Sequence, residues 1–457
     1  MRIGGQSGKG NRIGFGLRAL IRGTSLARRA RRDDGYHALI PCWPAARAMW
    51  SLPLRSNASL PRNVRLLIGM RAARSFGQGA MVAAFALYLH ALGWSGAVIG
   101  TVLMGALLVG SALTMVVGPL SDRGGRRGFL LGYELLQVAA AVTAMAATAP
   151  WLLITAAILG GFGRGANGAA GPFSPVEQAW LAHELPMARR GRVFSLNTAV
   201  GFFGMAAGAL LAALPSWLFG HVMRAADYRL LFALPLLGSL VCLGLLLATH
   251  APAVQQDAQV DHAATRRREN RLLRRLVLVN VFNGFGIGLV GPLIAYWFAL
   301  KFHQGLAVIG PGMALGFLLG AGGSLLAGRV AGRLGVVRAV VSMRAVGIVL
   351  LLLMPLVPWF WLAMVLYALR GACNQGTAGV RQALAAGLTG AGRCGLASSL
   401  QSISMQLPRA AGPVLAGALY HAGFLTLPFV IGAAFQCAYL VLYARFFASH
   451  EAAQTPV

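Results

Sequence analysis

Two acids and several bases lie inside long apolar stretches of this sequence, where ionisable side chains are rare. The acids are Glu134 and Glu177, and Arg74, Arg164 and Arg370 are bases at comparable depth. A carboxyl group removed from water keeps its proton more readily and can exchange it near neutral pH. A buried arginine must face a wet cavity, an acid or an anion. These residue types predict proton exchange and ion recognition rather than bond cleavage.

Each of these groups also has a structural alternative. Glu177 lies near the expected membrane surface, and we favour its pairing with arginines there over a role as proton carrier. Glu134 could instead pair with an arginine of segment 123–127. Arg164 could hold helices together in an ion pair, and Arg74 is close enough to the surface to extend its guanidinium into water.

Six amide side chains on the same stretches complete the candidate set. An amide in an apolar helix is as well explained by a hydrogen bond to a neighbouring helix as by a binding role. Gln78 lies four residues after Arg74 and therefore shares its helix face. The full amide set is Gln78, Asn167, Asn280, Asn283, Asn374 and Gln375.

The elements that position these residues are predicted to be membrane-spanning helices. Of the 457 residues, 57% are hydrophobic and 11% are charged, whereas a soluble chain carries about a quarter charged residues. The longest run without Lys, Arg, Asp or Glu has 47 residues, and a span needs about 20. We predict an all-α membrane protein with twelve helices, near 66–91, 97–119, 128–149, 151–181, 193–215, 229–249, 275–300, 306–328, 337–357, 359–385, 394–420 and 423–447.

The net charge of +29 is concentrated in alternate loops. Arginine clusters follow the second, fourth, sixth and eighth helices, whereas the opposite loops hold little beyond Arg224, Arg229 and Lys301. Because positive charges stay on the cytoplasmic side, both termini are predicted to be cytoplasmic in an inner (plasma) membrane. The basic balance is thus explained by topology, and we expect no nucleic-acid partner.

The chain divides into two six-helix bundles with basic flanking segments. Residues 1–65 lack an apolar run long enough for a span, and three hypotheses remain for them: a disordered tail at anionic lipid, a start assigned too early with Met49 as a later candidate, and an organelle transit peptide. The predicted units are the tail 1–65, the first bundle 66–250, a cytoplasmic linker 251–274, the second bundle 275–447 and a C-terminal tail 448–457.

The two halves also repeat each other in sequence. Segment 118–125, between the second and third helices, recurs in part at 328–335. The Arg-Gly-Ala sequence at 164–166 recurs at 370–372. Such repeats predict a substrate site at the interface of the two bundles, near the middle of the membrane.

Segment 118–127, Gly-Pro-Leu-Ser-Asp-Arg-Gly-Gly-Arg-Arg, resembles the G-x-L-S-D-R-x-G-R-R motif of the major facilitator superfamily. Arg164-Gly-Ala-Asn-Gly168 is similar to the R-x-x-Q-G motif of its fourth helix, with Asn167 where Gln is usual. The fifth helix has no Gly-Pro pair and so departs from the pattern of many drug–proton antiporters. The motif residues are Gly118, Asp122, Arg123, Gly125, Arg126 and Arg127.

This resemblance implies a fold and a set of roles. The fold would be two pseudo-symmetric six-helix bundles, and the first, fourth, seventh and tenth helices would line the cavity. The resemblance also implies a gating role for Asp122 and its arginines, and a role in proton coupling or substrate binding for Arg164.

We expect a secondary transporter that works as a monomer on a small molecule in the lipid bilayer. No cofactor is expected, because an ion gradient, most simply of protons, would supply the energy. The leading hypothesis is proton-coupled export of a drug-like or amphiphilic metabolite. Uptake of an organic anion and a non-transporting receptor are the alternatives. No P-loop or catalytic motif is present in the sequence, and the five scattered cysteines predict no metal site, so an enzyme is not expected.

Overall fold

The computed structural model describes residues 60–124, 126–165, 174–219, 223–250, 263–387 and 394–452. The secondary structure of this part is helical and contains no strand, which confirms the all-α fold class. In the first half the helices are α1 (Arg62–Ala91), α2 (Gly96–Gly124), α3 (Arg126–Ala146), α4 (Pro150–Gly160), α5 (Ser174–His183), α6 (Met187–Phe219), α7 (Ala225–Leu230) and α8 (Ala233–Leu247).

The second half repeats this succession of long antiparallel helices with short connections. Seven helical segments of the described chain are long and apolar enough to cross a membrane. The helices of the second half are α9 (Ala263–Gly288), α10 (Ile294–Phe302), α11 (Leu306–Leu334), α12 (Val336–Leu353) followed by a 3-10 turn (Met354–Leu356), α13 (Phe360–Gly387), α14 (Cys394–His421) and α15 (Leu427–Ala452).

The fourth predicted span is interrupted, so its prediction as one continuous helix was wrong. Helix α4 ends at Gly160, and residues 161–165 are not helical. Gly161, Gly163 and Gly165 have φ values of 66°, 72° and 94°, a region that glycine enters without steric cost. These glycines therefore end the helix in the middle of the span.

The seventh predicted span is interrupted in the same way. Helix α9 ends at Gly288, and α10 begins at Ile294. Pro292, between them, has no backbone N–H to donate to a continuing helix. The two breaks are close in space, because a Cβ atom placed on Gly165 would lie 3.5 Å from the backbone nitrogen of Pro292.

Arginine clusters and exposed aromatic residues lie at opposite ends of the molecule. The starts of α3, α6, α9 and α12 and the end of α11 carry the arginines of the arginine-rich end. Trp151, Trp217, Trp359 and Trp361 are largely exposed near helix termini of the other end. Aromatic side chains at such positions are typical of the interface between lipid and water.

In the described part of the chain, the two halves share a hydrophobic core not at the arginine-rich end but at the end opposite the arginines. There, one cluster combines residues of both halves, including Phe85, Phe202, Trp297 and Phe317. Towards the arginine-rich end the buried apolar residues form two clusters, one around Trp180 from the first half alone and one from the second half alone. The bundles are therefore joined at one end and packed separately at the other.

Two helix crossings join the bundles with almost no side chain between them. Helix α2 packs on α14, and α6 packs on α11. A Cβ atom on Gly96 would lie 2.6 Å from the carbonyl oxygen of Gly417, and one on Gly310 would lie 2.7 Å from that of Ala209. Glycine at both crossings lets the backbones approach this closely.

Candidate functional site

Arg74 forms a buried ion-pair cluster with the two acids of the first bundle. Its Nε and Nη2 atoms donate to Oε1 of Glu134 at 2.8 and 2.5 Å, and Nη1 donates to Oε2 of Glu177 at 3.1 Å. The relative exposure of the three side chains is 7%, 0% and 2%. Helices α1, α3 and α5 are thus linked through one guanidinium.

The immediate surroundings of Arg74 balance its charges. The guanidinium lies over the Tyr133 ring, 5.4 Å from its centroid. Arg71, one turn earlier on α1, is buried and interacts electrostatically with Glu177. Two arginines and two glutamates give this part of the bundle no formal net charge. Oε2 of Glu134 and Oε1 of Glu177 have no hydrogen-bond partner in the described structure.

This cluster corrects three predictions made from the sequence. Arg74 does not reach the surface, since it is buried and holds two acids. Glu134 and Glu177 bind this arginine in the described structure rather than the arginines at the membrane surface. Spacing along the chain could not indicate this contact, because it joins three separate helices.

The second bundle has a hydrogen bond that resembles the one between Arg74 and Glu134, but it joins an arginine to a neutral asparagine instead of an arginine to an acid. Nη1 of Arg344, on α12, donates to Oδ1 of Asn283, on α9, at 2.6 Å. Arg344 also lies 5.0 Å from the centroid of the Tyr439 ring. Its side chain is 1% exposed. Arg344 is not among the residues predicted from the sequence, although it follows Glu134 by the same 210 residues that separate segments 118–125 and 328–335.

Two further predicted residues of the second bundle lie near Arg344. Arg370, on α13, is buried and its Nε atom has no hydrogen-bond partner in the described part of the chain. Asn374, one turn later, has an Oδ1 atom without a hydrogen-bond partner in the described structure. This atom lies close to α12, because a Cβ atom added to Gly347 would be 2.6 Å from it. Gln375 is half-buried.

Arg164 lies at the break after α4, where its side chain faces the first bundle. It hydrogen-bonds with the Tyr133 hydroxyl, so the same tyrosine contacts Arg74 with its ring and Arg164 with its oxygen. The Arg164 carbonyl oxygen accepts a 2.6 Å bond from Nη2 of Arg409, on α14. The interrupted helix therefore frees a carbonyl group that ties one bundle to the other.

The remaining predicted residues fall into two groups. Asn280 and Asn283 link α9 to α14 by donating to Ser404 at 3.0 Å and to the Met405 sulfur at 3.5 Å, which is the interhelical bonding weighed from the sequence. Gln78 is half-buried on α1.

The motif between α2 and α3 is described only in part. Residues 118–124 continue α2 to Gly124 rather than forming a loop. The side chains of Asp122 and Arg123 lie outside the described residues, as do Gly125 and Asn167 entirely. Arg126 begins α3, and Nη2 of Arg127 donates to the carbonyl oxygen of Leu247, at the end of α8, at 2.9 Å. In the described ranges no group of three His, Cys, Asp or Glu could hold a metal ion.

Comparison with known families decides what kind of protein carries this site. The family model of the Major Facilitator Superfamily matches residues 67–278 and again residues 276–456. The chain belongs to the Major Facilitator Superfamily. It is therefore a multi-pass membrane protein of a transporter family, and the two matches correspond to its two bundles.

Two curated relatives in this superfamily match part of the chain. Multidrug resistance protein MdtH of Cronobacter sakazakii (strain ATCC BAA-894) is 29% identical over 157 residues, which cover 34% of this chain and 36% of the relative. The uncharacterized MFS-type transporter YhjO of Bacillus subtilis (strain 168) is 30% identical over 153 residues, covering 31% and 35%. The chain thus matches about a third of the length of these relatives.

Solved structures of the superfamily match nearly the whole fold. A bacterial homolog to the human lysosomal transporter Spinster, in an inward-facing and unoccupied conformation, has a TM-score of 0.65 at 14% identity, covering 86% of this chain and 99% of that one. A mutant of the nucleoside transporter NupG has a TM-score of 0.64 at 12% identity, covering 84% and 100%. At such identity the likeness establishes the two-bundle fold.

Proposed function

We propose that the chain is a secondary active transporter of the inner membrane that moves a small amphiphilic molecule by alternating access. The observation that supports this most directly is the uneven core, shared by both halves at one end and divided between them at the other. A carrier closed on one side of the membrane has this arrangement. The arginine-rich end is cytoplasmic by the positive-inside rule, so this conformation opens to the cytoplasm.

Proton coupling is assigned to the Arg74 cluster. Binding of a proton to Glu134 or Glu177 would remove one of the two charges that Arg74 holds and leave the cluster with a net positive charge. A conformational change follows when the two protonation states favour different arrangements of α1, α3 and α5. Arg164 would sense this change through Tyr133, which touches both arginines.

Export of a drug-like or amphiphilic metabolite is the direction we favour, because one relative is named a multidrug resistance protein. The second candidate is uptake of an organic anion, and the observation that favours it is the excess of buried arginines over buried acids. In either case we propose a monomer that needs no cofactor and uses the proton gradient. We propose that both termini lie in the cytoplasm.

The charge pattern at the end of α2 is assigned to gating, in line with the superfamily resemblance. Asp122 would cap the N-terminus of a neighbouring helix, and its arginines would pair with cytoplasmic-side carboxylates of the other half. Such contacts exist only when the cytoplasmic side is closed, so they favour one state of the cycle. Asp122→Asn should therefore slow the exchange between conformations and leave the range of substrates unchanged. A changed substrate range would assign Asp122 to recognition.

Pulsed electron spin resonance tests the alternating-access proposal directly. One spin-label pair, Ala91 and Ala422, reports the end that is closed here, and a second pair, Arg65 and Arg271, reports the arginine-rich end; all four residues are exposed. Lowering the pH or adding a transported compound should lengthen the first distance and shorten the second. Two distances that stay fixed under all conditions, with no proton flux in liposomes for lipophilic cations or organic anions, would refute the proposal.

A further inference from the structure

Beyond Glu269, near the start of α9, the second bundle contains buried arginines but no acid up to residue 450. From Arg271 to His450 the sequence has no Asp or Glu. Within this range Arg344, Arg370 and Arg381 are 1%, 8% and 9% exposed. Their charges act on one another, since Arg344 interacts electrostatically with both of the others. No Asp or Glu between Arg271 and His450 provides a counter-charge for these three cations.

Comparison of the two halves shows how this imbalance arises. Glu134 of the first half corresponds to Arg344, and Glu177 corresponds to Arg381 in the matching sequences Val-Glu-Gln-Ala and Val-Arg-Gln-Ala. Asn283 follows Arg74, which binds both acids, by 209 residues and lies on the equivalent helix. The hydrogen bond between Arg74 and Glu134 in one half and that between Asn283 and Arg344 in the other join equivalent helices, α1 to α3 and α9 to α12.

In the first bundle Glu134 and Glu177 thus balance the charges of Arg71 and Arg74, whereas residues 271–450 of the second bundle offer no acid to the three arginines. Glu134 and Glu177, the buried acids of the first bundle, are already bound to Arg74. A buried cation without a partner is costly in the membrane interior. The Nε atoms of Arg344, Arg370 and Arg381 have no hydrogen-bond partner in the described structure, so they remain available as donors.

We propose that these three arginines bind the carried molecule and that it is a small organic anion, a carboxylate or phosphate monoester with an apolar part. This inference rests on the proposed transport function and specifies its substrate class. Guanidinium groups bind such oxyanions with paired, charge-assisted hydrogen bonds. Asn374 and Gln436, both with unpartnered amide atoms, supply neutral contacts on α13 and α15.

The position of the three arginines in the fold is suited to a site for the transported molecule. Arg370 follows Tyr367, a member of the core shared by the two halves, and Arg381 follows Val380, a member of the separate core of the second half. The cluster therefore begins where the common core ends, on the side that opens towards the arginine-rich end. An anion bound there would contact the second bundle, whereas the Arg74 cluster that is assigned to proton coupling lies in the first bundle.

Binding measurements on purified protein test this site without requiring transport. Phenyl phosphate and benzoate serve as anionic probes, and tetraphenylphosphonium serves as the cationic probe of similar aromatic character. The wild type should bind an anionic probe and melt at a higher temperature in its presence. Arg370→Gln and Arg381→Gln should each weaken this binding about tenfold or more, as expected for the loss of one charge-assisted contact.

The matched control is Arg338→Gln, which removes an exposed charge on α12, the helix that carries Arg344. It should bind the probe as the wild type does. The probe-free variants Arg370→Gln and Arg381→Gln should be at least as heat-stable as the wild type, because an unpaired buried cation has been removed. A purely structural arginine would give the opposite result.

Two outcomes would overturn the inference. One is binding of the cationic probe but of neither anion, and the other is anion binding that is equal in Arg338→Gln, Arg370→Gln and Arg381→Gln. Failure of the transport proposal looks different: anion binding would remain sensitive to Arg370 and Arg381, while liposomes would show no anion movement and the spin-label distances would not change.

Discussion

Replacing Arg74 by methionine is the sharpest test of the ion-pair cluster in the first bundle. The substitution keeps most of the apolar stem and removes the guanidinium that donates three hydrogen bonds to two carboxylates. Both acids remain buried, with Arg71 as the remaining nearby cation. The cluster then carries a formal charge of one negative unit instead of none.

The expected cost follows from the loss of a partner for buried charges. Removing one side of a buried pair costs about 3–5 kcal/mol, because the other side stays desolvated. Glu134 accepts two of the three bonds and Glu177 accepts one, so Glu134→Gln should destabilise more than Glu177→Gln. Each of these two should cost less than Arg74→Met, since Arg74 then keeps one acid.

The free energy of unfolding of each variant can be measured in bicelles by steric trapping at about pH 8 and at about pH 5. The deficit of Arg74→Met should shrink at the lower pH, because protonation neutralises the two carboxylates that have lost their partner. Arg71→Met is the matched control: Arg71 is equally buried but has no carboxylate hydrogen bond in the described structure. It should cost less and depend less on pH.

The reasoning fails if Arg74→Met and Arg71→Met have equal stability at both pH values. It also fails if the deficit of Arg74→Met grows on acidification. Either result would mean that the carboxylates are neutral or hydrated in the native protein and that the bonds to Arg74 do not stabilise it.

Three further outcomes are expected. Arg164→Ala should abolish transport in liposomes at normal expression, and full flux would remove Arg164 from the mechanism. Gly165→Ala should lower the stability measured by thermal unfolding by about 1–3 kcal/mol, because the φ of Gly165 is positive. The control Gly128→Ala should cost nothing, because Gly128 is a helical glycine with open space at its Cβ position. Equal melting temperatures of the two variants would contradict the described break. In a cysteine-free background, Arg271→Cys should react with an impermeant thiol reagent only from the cytoplasm and Ala91→Cys only from outside, and the reverse pattern would invert the topology.

The sequence was sufficient for the fold because its signals are long. Runs without charge define spans, and the repeated segments at 118 and 328 define two halves. The breaks at residues 161–165 and 289–293 were within reach, since glycines cluster in the first and Gly291-Pro292 lies in the second. One apolar run reaches into the first break and another continues through the second, so the length of a run alone does not reveal them.

The contacts of the site were harder to predict for a physical reason. Which acid binds Arg74 depends on how three helices are rotated, and helix rotation in a bundle follows from packing that no single segment encodes. Arg344 was different, because the repeat itself points to it as the counterpart of Glu134. Extending the repeat from motifs to every ionisable position would have found it.

The core shared by the two halves has a consequence for how the carrier is measured. Trp217 donates a hydrogen bond across the bundles to the carbonyl oxygen of Ala307, and the rings of His90 and Tyr296 lie 5.1 Å apart. In the proposed alternating-access cycle, opening this end separates such contacts, so we expect the outward-open form to be a minor population when no ligand is bound. A ligand offered from that side binds only this fraction, and its apparent dissociation constant rises by the inverse of the fraction. The same site should therefore show two half-saturation concentrations, a higher one for ligand added outside and a lower one for ligand added on the cytoplasmic side. The ratio of the two would report the free energy that keeps the outer end closed.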